Sequence, residues 1–481
     1  MHGYWLILII YFLVLVLTCL QIIFETNSST KTLAYLLFCV FIPVIGIIFY
    51  MTFGFNYWRK KIYSKKSDQN EKILQQLTKN IVQYSHSIVT KKDISVKNEA
   101  GLVTMVIKDL NSSLTSGNKV KILSNGEEKF PELLQCLDGA KHHIHLEYYI
   151  YEQDEIGTRI IEMLIRKAKE GIQVRFIYDD FGSPGIKKKV EKRMRDAGIE
   201  IYPFYKVHFY LLANRINFRN HRKIVVVDGQ TGFVGGINVC DKYINNKKGQ
   251  LYWRDTHLRI DGPGVYYLQY LFISDWNFCS PTKLIPESVH FSQDFSVKGD
   301  TYVQVVASGP DSEQPFVMFS VLQAIYLAKE EILITTPYFI PDDNIIDALK
   351  IAASSGIDVK LLVPGKSDSR FVNTAAKAYY NDVLQAGVEI YFYNKGFVHA
   401  KTLVTDGKLS MIGTANMDHR SFELNFEVNA IIYDTSFSKK LRNIFFDDLR
   451  HSKKLNMKEW YKRPVYTRLL ERVARLFSPS L

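Results

Sequence analysis

A histidine and a lysine two residues apart, with an aspartate five residues beyond the lysine, occur twice in this chain. His221-Arg222-Lys223-Ile224-Val225-Val226-Val227-Asp228 precedes Gly235 and Asn238. His399-Ala400-Lys401-Thr402-Leu403-Val404-Thr405-Asp406 precedes Gly413 and Asn416. The offsets from His to Lys, Asp, Gly and Asn are identical in the two copies. At average residue usage, chance reproduces those four types at those offsets roughly once in 10⁴–10⁵ trials. A duplicated fold has use for the glycine and the apolar run, but none for a repeated imidazole and ammonium. Together these groups suit chemistry at phosphorus: fixed cations and amide donors hold the oxygens, with an imidazole on either side.

The spacing also says how the groups are held. Residues two apart on a strand share a face, so each His and Lys point the same way. Lys223 and Lys401 open apolar strands that close in Asp228-Gly229 and Asp406-Gly407, a dipeptide of tight hairpins. The returning strands bring Asn238 and Asn416 back beside the His and Lys. Asp228 and Asp406 complete the motif, and their place at the turns suits them to brace the strand ends. A metal centre is the competing chemistry, but an ammonium two residues from each His repels a divalent cation. No metal is expected. His143 and His145 also share a strand face, yet Glu331 and Leu333 stand in their places in the second copy. That unduplicated pair reads as structural.

The motifs close a larger repeat. Ala140-Lys141-His142-His143-Ile144 returns as Ala328-Lys329-Glu330-Glu331-Ile332, and Ala197-Gly198-Ile199-Glu200-Ile201-Tyr202 as Ala386-Gly387-Val388-Glu389-Ile390-Tyr391. Strands alternating with helix-sized segments predict an α/β fold of two tandem α/β/α halves, residues 117–300 and 301–456, with largely parallel buried sheets and pseudo-twofold symmetry.

The chain has 481 residues, with 61 Lys and Arg against 49 Asp and Glu, a net charge of +12. Its 47% hydrophobic and 23% charged residues exclude a mainly disordered chain. The positive surplus suits phosphate-bearing partners, either nucleic acid or an anionic membrane. The first 58 residues choose the membrane. Residues 4–24 are almost wholly apolar and residues 33–58 are uncharged, each long enough for the ~20 residues that cross a bilayer. Arg59, Lys60, Lys61, Lys65 and Lys66 follow, whereas only Lys31 lies between the runs. The positive-inside rule then predicts a multi-pass cell-membrane protein: a two-helix hairpin (spans about 4–24 and 33–55) with both ends and the catalytic halves cytoplasmic. Five cysteines without a CxxC pair agree with a reducing compartment. Residues 59–116 read as a linker with a solvated helix, and 457–481 as a basic amphipathic tail that lies on an anionic leaflet or packs on the second half.

The twin motifs resemble the phospholipase D superfamily, over nearly all of the chain after about Asn118. Within it, the two-span hairpin, Trp253-Arg254-Asp255-Thr256-His257, Thr336-Pro337-Tyr338-Phe339-Ile340-Pro341 and Asn416-Met417-Asp418-His419-Arg420-Ser421 resemble the bacterial cardiolipin synthases. The resemblance implies two phospholipase-D-like domains and transfer between two phosphatidylglycerol molecules, giving cardiolipin and glycerol. It implies a phosphohistidine intermediate with no metal or other cofactor. By similarity His221 is the nucleophile and His399 the acid/base, with Lys223, Lys401, Asn238 and Asn416 on the non-bridging oxygens. Asp255 and Glu427 stand where the superfamily keeps carboxylates that orient the imidazoles. The expected partners are phosphatidylglycerol and anionic membrane lipid, and not nucleic acid; oligomeric state has no signal in the sequence. A hydrolytic phospholipase D or another phosphodiesterase is the enzymatic alternative, and an anionic-lipid-binding scaffold the non-enzymatic one. Tyr338, Phe339 and Ile340 read either as an acyl path or as core, with core favoured.

Overall fold

The computed structural model describes residues 2–26, 29–51, 96, 98–110, 112–205, 218–246, 249–292, 295 and 297–478. The basic cluster at 59–66 and most of the 59–116 linker lie outside the described residues; the linker's described part holds the helix Ala100–Leu110 and the first residues of a strand that begins at Thr115.

The first half contributes β1 (Thr115–Ser124), β2 (His143–Tyr148), β3 (Gln173–Tyr178), β4 (Glu200–Pro203), β5 (Ile224–Val227), β6 (Thr231–Gly235), β7 (Tyr252–Arg254) and β8 (Thr256–Asp261). The second contributes β9 (Thr301–Ser308), β10 (Glu331–Thr335), β11 (Phe339–Ile340), β12 (Asp358–Pro364), β13 (Glu389–Tyr393) and β14 (Gly396–Val398). It continues with β15 (Thr402–Thr405), β16 (Leu409–Gly413), β17 (Met417–Asp418), β18 (Glu427–Tyr433) and β19 (Ser452–Lys454). Fifteen strands form one sheet in the order β19-β13-β12-β10-β15-β16-β18-β9-β1-β8-β6-β5-β2-β3-β4. Read outward from the β9–β1 junction, the two halves repeat the same order, which is the pseudo-twofold relation.

The sheet is mixed rather than largely parallel. In each half only the outer strands pair in parallel, β2-β3-β4 and β10-β12-β13. The inner strands are antiparallel because the Asp-Gly turns fold β5 onto β6 and β15 onto β16. Both turn residues are left-handed in each case, with φ 54° and 63° at Asp228-Gly229 and 53° and 59° at Asp406-Gly407, the geometry that matches strand twist in a two-residue hairpin.

Every residue of β2, β5 and β18 is buried, as expected of strands covered on both faces. The helices Val265–Cys279 and Thr435–Arg450 pack on a core shared by both halves, with Val226, Leu258, Val303, Val404 and Val428 at its centre. Asn118 ties the junction: its amide donates to Thr301 O at 3.1 Å and its carbonyl accepts from Gly264 N at 2.6 Å.

At the amino end, His2–Glu25 is one helix, and its Tyr4–Glu25 stretch has a mean hydropathy of 3.0. Among the described residues it is the one helix long and apolar enough to cross a membrane. The second run is divided into Ser29–Phe41 and Pro43–Phe49, because Pro43 lacks an N–H and its ring opposes a continuous helix. The two arms meet through Ile22, Cys39, Ile47 and Tyr50. Lys31, in the first turn of the helix Ser29–Phe41, reaches the second half: its Nζ lies 3.4 Å from Glu423 Oε2. An external hairpin turn would instead be a membrane's width from the catalytic halves.

The carboxy-terminal helix Val465–Arg475 docks on the helix Arg370–Leu384 through buried Glu471 and Ala474. Trp460 is buried and donates from Nε1 to Asn381 Oδ1 at 2.7 Å. Packing on the second half therefore holds, yet Val465, Tyr466, Leu469, Leu470, Val473, Leu476 and Phe477 remain exposed.

Candidate active site

The parallel strands β2 and β10 end where β5 and β15 begin, since β5 and β15 run antiparallel to them. His221 and Lys223 lead into β5, and His399 and Lys401 into β15, so one edge of the sheet receives both motifs. A second set of backbone pairings crosses between the halves. His221 N donates to Phe426 O at 3.0 Å, and Phe426 N to Arg219 O at 2.9 Å. Reciprocally, β14 pairs with β7, and His399 N donates to Arg254 O at 2.7 Å. Arg254 is held in turn by Asp448, 2.9 Å from its Nε.

These crossings decide which carboxylate serves which imidazole. Glu427 follows Phe426 and lies 2.9 and 3.0 Å from His221 Nδ1 through its two oxygens. Asp255 follows Arg254 and lies 2.7 Å from His399 Nδ1. Each half's imidazole is thus oriented by the other half's carboxylate. An ionised carboxylate only accepts, so each Nδ1 carries the hydrogen and each Nε2 keeps its lone pair. Lys401 Nζ is 3.1 Å from His399 Nδ1; the shorter bond to Asp255 sets the tautomer. The two imidazoles are close enough that a charge on His221 is felt at His399. Aromatic rings flank them: Tyr149 at 4.9 Å from His221, Trp253 at 5.5 Å from His399, and Tyr243 at 6.0 Å.

Burial is the main electrostatic fact. Burial pushes the His221 imidazole down to about 4, against the opposing pull of Glu427. His399 is likewise lowered well below the usual range, by burial first and then by Lys401 and Lys223. Burial also lowers Lys223 to about 7 and Lys401 to about 8, partly offset by Glu427 and Asp255 respectively. Asp255 is raised by burial to about 6, with Lys401 opposing. Burial would raise Glu427 too, but His221, Lys223 and the Thr414 hydroxyl together hold it below the usual range. Burial holds the His and Lys bases below their usual ranges even with Glu427 and Asp255 beside them, so the added negative charge of an incoming phosphodiester would raise their affinity for protons.

The motif's remaining residues divide. Asn238 reaches the site edge, where its amide donates to Tyr243 Oη at 2.8 Å and its carbonyl accepts from Ile150 N at 3.2 Å. Asn416 donates to Asp418 Oδ2 at 2.9 Å, and its Oδ1 is buried without a partner. The glycines allow close approach: a Cβ at Gly413 would fall 1.9 Å from Asn429 Oδ1, and one at Gly235 would fall 2.6 Å from His257 Cα. Asp228 and Asp406, grouped with the site because they complete the motif, are not brought to it. They sit at the far end of the strand, roughly 16 Å from Lys223 and Lys401 along the chain. Asp228 accepts from the N–H groups of Lys141, His142 and His143 at 2.8, 2.8 and 3.0 Å. Asp406 accepts likewise from Lys329, Glu330 and Glu331 at 3.0, 2.8 and 2.9 Å. These carboxylates cap the amino ends of β2 and β10.

His143 and His145 are buried behind the sheet, bonded to Gln269 at 3.1 and 3.2 Å, as structural residues. Phe339 and Ile340 are wholly buried core, while Tyr338 Oη donates to Asp368 Oδ2 at 2.7 Å. Asp342, His419 and Glu423 group their donor atoms within 4.8 Å, but the Lys31 ammonium already lies against Glu423. Tyr149, Thr414 and Lys129, whose buried ammonium donates to Ile237 O at 2.9 Å, were not legible as site residues, because no local pattern marks them.

The fold and the twin His-Lys motifs define a phospholipase-D-like protein. The family model "Cardiolipin synthase, PLD-like domain" matches residues 133–253 and 321–449, and "Phospholipase_D-nuclease N-terminal" matches residues 7–54. The chain is 41% identical over 479 residues to the major cardiolipin synthase ClsA of Bacillus subtilis, covering 99% of both chains. It is 42% identical over 462 residues to the cardiolipin synthase of Alkalihalophilus pseudofirmus, covering 96% of this chain and 91% of that one. A solved phosphatidylserine synthase from Haemophilus influenzae shares the fold, with a TM-score of 0.60 at 14% identity over 80% of this chain and 100% of that one. The chain belongs to the bacterial cardiolipin synthase family and is a membrane-associated phosphatidyltransferase.

Proposed function

We propose that the protein transfers a phosphatidyl group from one phosphatidylglycerol to a second, giving cardiolipin and glycerol. The observation that carries this reading is the crossed pairing of His221 with Glu427 and His399 with Asp255, which leaves two Nε2 atoms free to flank one phosphorus. His221 Nε2 attacks the donor phosphorus, and His399, protonated once the anion is bound, gives its proton to the departing glycerol oxygen. His399 then takes the hydroxyl proton of the second phosphatidylglycerol as that oxygen displaces the imidazole. Lys223, Lys401, Asn238 and Asn416 hold the non-bridging oxygens and tighten as charge grows in the pentavalent transition state.

Purified protein given phosphatidylglycerol alone tests the reading. Cardiolipin with glycerol supports it; phosphatidic acid instead indicates hydrolysis, and no product indicates a lipid-binding scaffold. Substrate labelled with ³²P at the phosphate assigns the roles: His399→Ala should retain protein-bound label and His221→Ala none, while the reverse pattern exchanges them.

The multi-pass, cytoplasmic orientation is supported by the basic cluster after Trp58 and opposed by the Lys31–Glu423 contact. Protease outside right-side-out vesicles should leave residues 117–456 uncut; digestion there refutes a cytoplasmic site. The division at residues 300/301 belongs to the same proposal and is supported by the mirrored strand order; the tail at 457–481 is proposed as a separate basic segment on the strength of its two helices, which follow the last strand.

A further inference from the structure

Phe218-Arg219-Asn220-His221-Arg222-Lys223 is extended, so Arg219, His221 and Lys223 fall on one face while Asn220 and Arg222 turn to the other. The structure follows that alternation: Asn220 bonds Glu147 and Arg222 bonds Asp275, both behind the sheet. The guanidinium of Arg219 is 4% exposed, yet neither Nη1 nor Nη2 has a hydrogen-bond partner. Its nearest carboxylate oxygen, Asp179 Oδ1, is 4.0 Å away and already accepts from Phe181 N and Gly182 N at 3.1 and 2.9 Å. Asp179 Oδ2 accepts from Asn220 N at 3.1 Å. The other charged or titratable groups felt at Arg219 are Tyr149, Arg420 of the second half, and Asp180. Tyr149 is the ring that flanks His221. A buried guanidinium with unmade hydrogen bonds is costly unless an anion completes it.

The second half has no such cation, because Phe397 occupies the position two residues before His399. Two cations, Arg219 and Lys223, flank His221 on one side, whereas Lys401 alone accompanies His399 on the other, and this breaks the site's symmetry. The proposed reaction breaks it in the same way. Its reacting phosphorus lies between the imidazoles, and the acceptor brings a second phosphodiester three carbons away. Two residues along a strand span roughly 7 Å, a distance that a glycerol bridge between two phosphates can cover.

We infer that Arg219, with Tyr149 and Arg420 beside it, binds the phosphodiester of the acceptor lipid, forming a second phosphate subsite beside the reacting one. The inference rests on the proposed phosphatidyl transfer, and glycerol exchange separates the two. In exchange, labelled glycerol attacks the phosphatidyl-histidine: a P–O bond forms, the P–N bond breaks and the hydroxyl proton passes to the other imidazole. That acceptor carries no phosphate. Full-length Arg219→Gln, assayed with phosphatidylglycerol and labelled glycerol in mixed micelles, should lose roughly ten- to hundredfold in cardiolipin formation, the range for a lost charge-assisted hydrogen bond. Incorporation of glycerol should fall at least tenfold less, and Arg219→Lys should recover part of the ratio. Equal losses in both reactions, or no loss in either, overturn the subsite. If Arg219→Gln does not fold, Arg219→Lys carries the test, and a wild-type product ratio in it overturns the inference. Exchange without any cardiolipin in the wild type would sink the synthase reading instead.

Discussion

At the scale of single residues, the site works by placing bases where water cannot serve them. The ammonium groups of Lys223 and Lys401, held at about 7 and about 8, are charged below those values and neutral above. Phosphate affinity therefore fades as pH rises: KM for phosphatidylglycerol should increase between pH 7 and 9, and a flat KM would contradict the burial argument. Low pH acts differently, since His221 at about 4 stays an unprotonated nucleophile down to roughly pH 5. Glu427→Gln keeps the shape but can no longer stabilise an imidazolium, so kcat should drop about 10²-fold or more while the protein remains folded. A steady-state assay paired with a thermal melt reads both. His221 and Lys223 were legible from spacing, but Arg219 was not, because a lone arginine near a motif looks like any basic surface residue until its burial is seen.

At the scale of elements, the hairpins β5–β6 and β15–β16 carry the catalytic groups at one end and their braces at the other. Asp228→Ala removes an acceptor shared by three backbone N–H groups and places alanine at a φ of 54°. The expected result is a loss of roughly 1–3 kcal/mol in denaturant unfolding, with KM for phosphatidylglycerol unchanged. A raised KM with unaltered stability would return Asp228 to the site. The paired Asp-Gly turns were legible because left-handed backbone restricts residue choice so strongly. The parallel or antiparallel sense of neighbouring strands was not, since alternating helices and strands look alike in either arrangement until long-range pairing is known.

At the scale of the whole molecule, the exposed apolar row of Val465–Arg475 lies beside Arg468, Arg472 and Arg475 on a helix whose other side is docked. That combination suits an anionic bilayer surface. The double substitution Leu469→Glu and Leu470→Glu should lower activity on phosphatidylglycerol vesicles about tenfold or more. It should leave activity on detergent-dispersed lipid near wild type; equal loss in both would mean the helix serves only the fold. Raised salt should weaken the vesicle activity of the wild type, because surface charge is screened.

The amino-acid order alone determined the duplicated halves, the His, Lys and Asn groups, the tight turns and the apolar amino end, since each is a matter of residue type at short, regular separation. Tertiary structure decided that Glu427 pairs with His221 and Asp255 with His399, and which backbone N–H groups the turn residues Asp228 and Asp406 brace. It also decided that Arg219 is buried without a hydrogen-bonded counter-ion. Those outcomes depend on contacts between segments as many as 206 residues apart, and no local periodicity encodes which distant backbone a strand will meet.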